Sequence, residues 1–223
     1  PGLRFNHFSN GDYTGFSPRL AARYRLDADT YLKGAIGRYH QYIFRLSREF
    51  QGISLLSNIW ALADTTATPS ASIHYIAGIE TRWADLDIDA EVYYKDYEKL
   101  YEINYDEQDS SEIGDIIRRG DGRAYGFDVL IKKRAGKHSG WLSLSTSLSE
   151  RTIDGLNLDD NDVEQSFKSK FDRSFTVNLI HAWHFRDKWS LNSRTAYATG
   201  QPYTQILGRG EIETPSGARF NFD

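Results

Sequence analysis

The segment Arg4 to Asp12, RFNHFSNGD, sets a histidine two residues before a serine. Residues two apart on a strand share a face, so His7 and Ser9 form a candidate base and nucleophile for acyl transfer. Such a pair needs a third group to orient the base. The following segment offers Arg19, Arg23 and Tyr24, with no Asn or Asp at matching height. Asn10-Gly11 is also a common turn pair because both residues tolerate positive φ. The stretch therefore reads better as the end of a strand running into a turn than as a reaction centre.

Other residues suit binding rather than catalysis. The segment 43–72 carries Phe44, Phe50, Ile53, Leu55, Leu56, Ile59 and Trp60; such apolar surface in a connection implies self-packing over its neighbours or contact with a ligand or a lid. In YYKDYEKLYEINY, residues Tyr93, Tyr97, Tyr101 and Tyr105 recur every fourth position. Four is even, so an unbroken strand would place all of them on one face, as an aromatic ladder able to bind sugars, peptides or planar chelates. Trp60, Tyr97 and Tyr101 are the ligand-binding candidates. The segments 106–115 and 154–164 are acidic, and Asp159, Asp160 and Asp162 are oxygen donors of the kind calcium takes, but the EF-hand spacing is not met. They read better as solvated loop. His74, His138, His181 and His184 show no zinc spacing, and the chain has no cysteine, so thiolate chemistry and disulfides are excluded. No metal or cofactor is expected. With 27 basic and 31 acidic residues, the chain has no general attraction for nucleic acid.

Alternation with a period of two positions all these candidates. Phe175, Val177, Leu179, Trp183 and Phe185 fall on one face of their segment, with His181 as the exception. Leu142, Leu144 and Leu148 alternate with serines, and Ile88, Ala90, Val92 and Tyr94 oppose Asp87, Asp89, Glu91 and Lys95. No segment has helical spacing over a useful length. The pattern predicts an all-β chain of about nine strands, near 2–9, 17–26, 31–41, 73–83, 87–104, 123–134, 140–153, 173–186 and 189–205. Short connections (DADT, ADLD, AGKHS, RDK) are expected to alternate with long polar ones at 10–16, 42–72, 105–122, 154–172 and beyond 206.

Short turns on one rim and long loops on the other are the arrangement of transmembrane β-barrels, with periplasmic turns and extracellular loops. The aromatics fit as well. Phe175 and Phe185, like Trp189 and Tyr197, bracket less aromatic runs, at spacings that span roughly 20–25 Å of membrane when strands tilt. Tyr24, Trp83, Phe185 and Trp189 stand beside short turns, where an interfacial girdle belongs. The opposite face carries Arg19, Arg23, Arg25, Glu80, Arg82, Asp89, Glu91, Lys95, Asp128 and Lys132. Burying these unpaired is prohibitive, which predicts a wet or plugged lumen. Nine strands are too few and odd in number for a complete bacterial barrel. A chain that starts at Pro1 and has no methionine is thus expected to be part of one larger barrel domain covering 1–223.

GLRFNHFSNGDYTGFSPRLAARYRLDADTYLKGAIGRYHQY resembles the mid-barrel region of TonB-dependent outer-membrane receptors of the Bacteroidetes type. GRAYGFDVLIKKRAGKHSGWLSLSTSLSER (Gly122 to Arg151) resembles a later hairpin of that family, and YATGQPYT (Tyr197 to Thr204) the strand that follows. The resemblance implies a ~22-stranded barrel with a plugged lumen in the outer membrane of a Gram-negative bacterium. It implies active uptake of a scarce small ligand (chelate, sugar or peptide), with TonB, outer-membrane lipid and the plug domain of the same polypeptide as partners, and it leaves room for a surface lipoprotein lid. The plug and the barrel ends are not in this chain. Arg19, Arg23, Glu91 and Lys95 would line the lumen and face the plug. A passive porin would give the same strands. The run His7 to Gly11 is similar to one in outer-membrane phospholipase A, whose barrel is small and complete; a lipid hydrolase using His7 and Ser9 is the third alternative.

Overall fold

The structure is a computed structural model that describes residues 1–47, 58–103, 117–186, 188–202, 211–213 and 219–221. Nine long strands form one antiparallel sheet: β1 (Gly2–Phe8), β2 (Tyr13–Arg25), β3 (Thr30–Gln41), β6 (Ser70–Trp83), β7 (Leu86–Ile103), β8 (Ile117–Lys133), β9 (His138–Ile153), β11 (Phe175–Arg186) and β12 (Trp189–Ala198), paired in that order. A short β10 (Phe167–Lys168) adds to β9, while β4 (Ile43–Ser47) with β5 (Asn58–Leu62), and β13 (Glu211–Glu213) with β14 (Arg219–Asn221), make separate hairpins. Every main-sheet neighbour is also the next long strand in sequence, so the sheet is a meander.

The strands lie where alternation placed them, and β2, β6 and β8 extend further toward the long-loop rim. Residues 13–16, expected in a long loop, pair as Tyr13 with Phe8 through Phe16 with Phe5, leaving only Ser9 to Asp12 as a tight turn. Likewise β6 begins at Ser70 and β8 at Ile117. Alternation reports an apolar face, and these strand ends run beyond the apolar band; their pairing continues without that signature. β12 stops at Ala198, short of the expected 205.

Register carries one apolar face unbroken across the sheet. Phe5 stands opposite Phe16, Leu20 opposite Ile36, Ile79 opposite Ala90 and Ala90 opposite Val129. Val129 stands opposite Leu144, Leu144 opposite Val177 and Val177 opposite Tyr197. Among the described residues nothing covers this face: Leu20 is 55% exposed, Val92 52% and Leu191 57%. A small buried apolar cluster lies instead at the long-loop rim, where Phe44, Ala63 and Ala67 pack with Phe8, Ala61, Tyr101 and Ile117. The sheet has an apolar face without a core beneath it.

Glycines on the other face let neighbours lie flat on the strands. A Cβ at Gly126 would stand 2.3 Å from the Thr146 carbonyl oxygen and 2.5 Å from the Tyr93 hydroxyl. Tyr93 thus lies over a residue that has no side chain. Gly126→Val is expected to destabilise the sheet by about 1–3 kcal/mol, read by urea titration of the folded protein, with Ala124→Val on the same strand milder.

Candidate binding face

All the charged residues expected on the wet side share one face. Its lower half, toward the short turns, is an ion-pair network centred on a residue the sequence reading passed over. Lys33 on β3 donates to both Asp89 carboxylate oxygens at 2.7 Å, contacts Glu91 closely, and lies 3.6 Å from Glu80. Arg23 bonds Glu80 from the far side and lies 3.7 Å over the Tyr31 ring. Arg82 and Arg134 both hold Asp87, at 2.9 and 2.5 Å. Ser145 donates to Asp128. Lys33 was legible in principle: it alternates with Leu32 and Ile36 and stands opposite Arg23.

The upper half is different in kind. Arg19 lies 4.5 Å over the Tyr39 ring and Lys95 lies 4.7 Å from the centre of the Tyr93 ring. Tyr39 packs on His74 at 4.5 Å, and His74 meets Tyr97 edge-on at 6.4 Å. Ser72 Oγ lies 3.1 Å from His74 Nε2. These rings border a recess of about 440 Å³ that Ser149 and Arg151 close from β9. Arg151 is itself bonded to Glu102.

The tyrosine ladder is corrected by the structure. Pairing shifts between Tyr97, opposite Gly122, and Leu100, opposite Gly120, with Lys99 at φ +61°. One extra residue inverts the parity. Tyr93 and Tyr97 keep the polar face, whereas Tyr101 leaves it. The Tyr101 ring packs 4.8 Å from Phe44, and its hydroxyl donates to the Thr68 carbonyl at 2.8 Å. Tyr105 lies outside the described residues. Trp60 is opposite Arg45 in the β4–β5 hairpin, while neighbouring Ala61 and Phe44 face the small core; Trp60 is 66% exposed. The three ligand-binding candidates thus lie on separate surfaces. The lumen candidates Arg19, Arg23, Glu91 and Lys95 do share one face. Phe50, Ile53, Leu55 and Leu56 lie outside the described residues, as does the segment 106–115.

His7 and Ser9 do not form a dyad. β1 ends at Phe8, so Ser9 is a turn residue, and His7 Nδ1 lies 3.3 Å from Thr14 Oγ1. The turn serves as an anchor: Asn10 Nδ2 donates to the Ala63 carbonyl at 2.8 Å, and Gly11, at φ +86°, packs against Asp64, whose backbone carbon would lie 2.8 Å from any Cβ there. His181, the exception on the apolar face, has a partner: its Nε2 lies 3.0 Å from His138 Nδ1, and their rings stack at 5.3 Å. The His138 ring also stacks on Trp183, at 5.9 Å, at the short-turn end.

Among the described residues no group of acidic or histidine side chains is placed to hold a metal ion. Asp159 shows why in the acidic loop. Its Oδ1 accepts the backbone N–H groups of Asn161 and Val163, both at 2.9 Å, and its Oδ2 accepts from Gln165 at 3.2 Å. The carboxylate organises its own turn. No family model, curated protein or solved structure matches the chain.

Two expectations follow. Lys33→Ala leaves neighbouring carboxylates unpaired and is expected to destabilise the protein by about 1.5–3 kcal/mol; Arg23→Ala, at a half-exposed pair, should change stability by less than about 1 kcal/mol, both by urea titration. The backbone N–H groups of Val163, then Asn161, hold the Asp159 carboxyl below its usual range. A depressed folded pKa gives order that is fully present above the unfolded value of about 3.9 and lost as pH falls through the lower folded value. Protection of the Asn161 and Val163 amides, followed by hydrogen exchange, should therefore hold down to about pH 4 and disappear below it. In Asp159→Ala it should be absent already at neutral pH.

Proposed function

We propose that this chain forms part of the wall of a transmembrane β-barrel in the outer membrane of a Gram-negative bacterium, and that the whole polypeptide is a TonB-dependent receptor importing a scarce small ligand. One observation carries the barrel reading: an uncovered apolar face, continuous across nine strands, bounded by aromatic residues at both ends. Toward the short turns these are Tyr24, Trp83 and Trp189, each at least 65% exposed, and toward the long loops Phe5, Phe16, Tyr75, Tyr94, Tyr125 and Tyr197. Between them the face is mainly aliphatic, with Phe127, Ser193 and Thr195 also on it. From Tyr75 to Trp83 the band spans about 20 Å along the membrane normal when the strand is tilted, near the height of the apolar band of such barrels. A soluble sandwich has no need to ring its apolar face with aromatics at both edges.

Charge placement supports the same orientation. Among the described residues, ion pairs on the apolar face stand at its two edges: past the upper aromatics Arg38 with Glu98 at 3.1 Å and Arg123 with Glu150 at 2.8 Å, and at the short-turn rim Lys133 with Asp85. They fall where such a barrel wall leaves the membrane for water. The transport reading rests on the three motifs that resemble TonB-dependent receptors, and it makes the polar face the surface toward a plug and a ligand. Among the described residues no helix is long and apolar enough to cross a membrane.

Because the chain has no cysteine, single cysteines report each face directly. In outer-membrane vesicles, Cys at Ile79, Val129 or Leu144 is expected to resist a water-soluble maleimide, while Cys at Ser143 or Ser145 reacts when the lumen is open. Equal labelling of both faces, or recovery of the protein in the soluble fraction, overturns the barrel reading. Ligand uptake that survives loss of TonB would favour a passive porin instead.

A further inference from the structure

Cations and carboxylates are segregated by height on the polar face. One transverse row reads Arg19, Gly37, His74, Lys95, Ala124 and Ser149, each opposite the next. The row above it reads Tyr39, Ser72, Tyr97, Gly122 and Arg151. The row below it reads Ala35, Ile76, Tyr93, Gly126 and Ser147. None of the three contains a carboxylate. Acidic residues start one row lower, with Glu91, paired by Lys33, and Asp128, which accepts from Ser145; above the three rows Glu102 is taken up by Arg151.

We infer that this upper patch is a binding site for a ring-bearing polyanion: a small molecule with carboxylate or sulfate groups on a sugar or aromatic scaffold. Arg19 and Lys95 supply the charge. Both guanidinium and ammonium groups rest on tyrosine rings rather than on carboxylates, an arrangement that holds the side chain while leaving its hydrogen-bond donors available. At normal strand spacing their backbones are about 14 Å apart, so the ligand carries acidic groups at two ends. Tyr39 and His74 stand on the two strands between them, Tyr97 stands one row above Lys95 on β7, and all three offer ring faces and edges. The small residues beneath let the rings lie close to the sheet: a Cβ at Gly37 would touch Tyr39 and Arg19, and one at Gly126 would meet the Tyr93 hydroxyl. A neutral sugar would use the rings but gain nothing from two cations, and a cationic ligand would be repelled.

The inference rests on the reading of this face as water-filled, and the cysteine labelling above tests that separately. The probe is pyranine, a four-ring trisulfonate, added to the complete protein in a nonionic detergent and followed by fluorescence anisotropy. Binding is expected to weaken about tenfold in Arg19→Gln and in Lys95→Gln, and to fall with added salt. Lys132→Gln, lower on the same face, should leave it unchanged, and a cationic acridine dye should not compete. Absence of pyranine binding, equal binding in all variants, or equal competition by the cation overturns the site. So does a complete protein in which Arg19→Gln and Lys95→Gln alter stability and not binding, the result expected if an acidic segment of the polypeptide fills the patch.

Discussion

The register of the antiparallel ladder is the constraint on which the rest depends. Side chains alternate with a period of two, so a slip of one residue between any two strands would turn an apolar set onto the charged face and a charged set onto the apolar one. From β1 to β12 that slip does not occur within the apolar band. The two shifts recorded, between Tyr97 and Leu100 and between His184 and Arg186, fall outside the aliphatic zone, near opposite rims. Ion pairs follow from the same constraint. Lys33 reaches Asp89 and Glu91 because β3, β6 and β7 are paired in a register that stacks those residues over the small Gly78.

The two faces solve opposite problems. Charged residues in the lower half of the polar face neutralise one another across strands, with Lys33 serving several carboxylates at once. On the apolar face there is no core to complete, and among the described residues the buried apolar cluster gathers under the β4–β5 hairpin. The hairpin, the tight turn at Ser9 to Asp12 and the end of β7 meet there. The bulge at Lys99 sends Tyr101 into this cluster and leaves Tyr97 facing the recess. One inserted residue thus divides a regular tyrosine repeat between packing and solvent.

The main sheet was legible in the sequence because alternation is a local property: all nine long strands follow from it. The upper ends of β2, β6 and β8 were not, since residues such as Tyr13, Thr14 and Gly15 lie beyond the run of alternation that marks the band. Spacing arguments failed where a single residue breaks parity. The tyrosine repeat assumed an unbroken strand, and a lysine at positive φ gives no warning of a bulge. At His7 and Ser9 the favoured reading, a strand running into a turn, is what stands: β1 ends between them, at Phe8. Lys33 was missed because a lone lysine among Tyr31, Leu32 and Gly34 becomes a hub only once β6 and β7 are laid beside it. Trp60, Tyr97 and Tyr101 were grouped by chemistry, and topology separates them.

The anchoring of the turn at Asn10 and Gly11 onto Ala63 and Asp64 has a consequence for how the longest connection tolerates change. Tied at that base and zipped by the β4–β5 pairing, the connection between β3 and β6 is fixed to the sheet in two places. Closure entropy grows with the logarithm of length, about 0.6 kcal/mol for each doubling, so residues added to the sequence between Ser47 and Asn58 weigh little on the sheet. A single methyl group at Gly11, in the turn that anchors the connection from the neighbouring strands, meets the Asp64 backbone at once. Length is cheap beyond the paired hairpin, and bulk is nearly forbidden where it is moored.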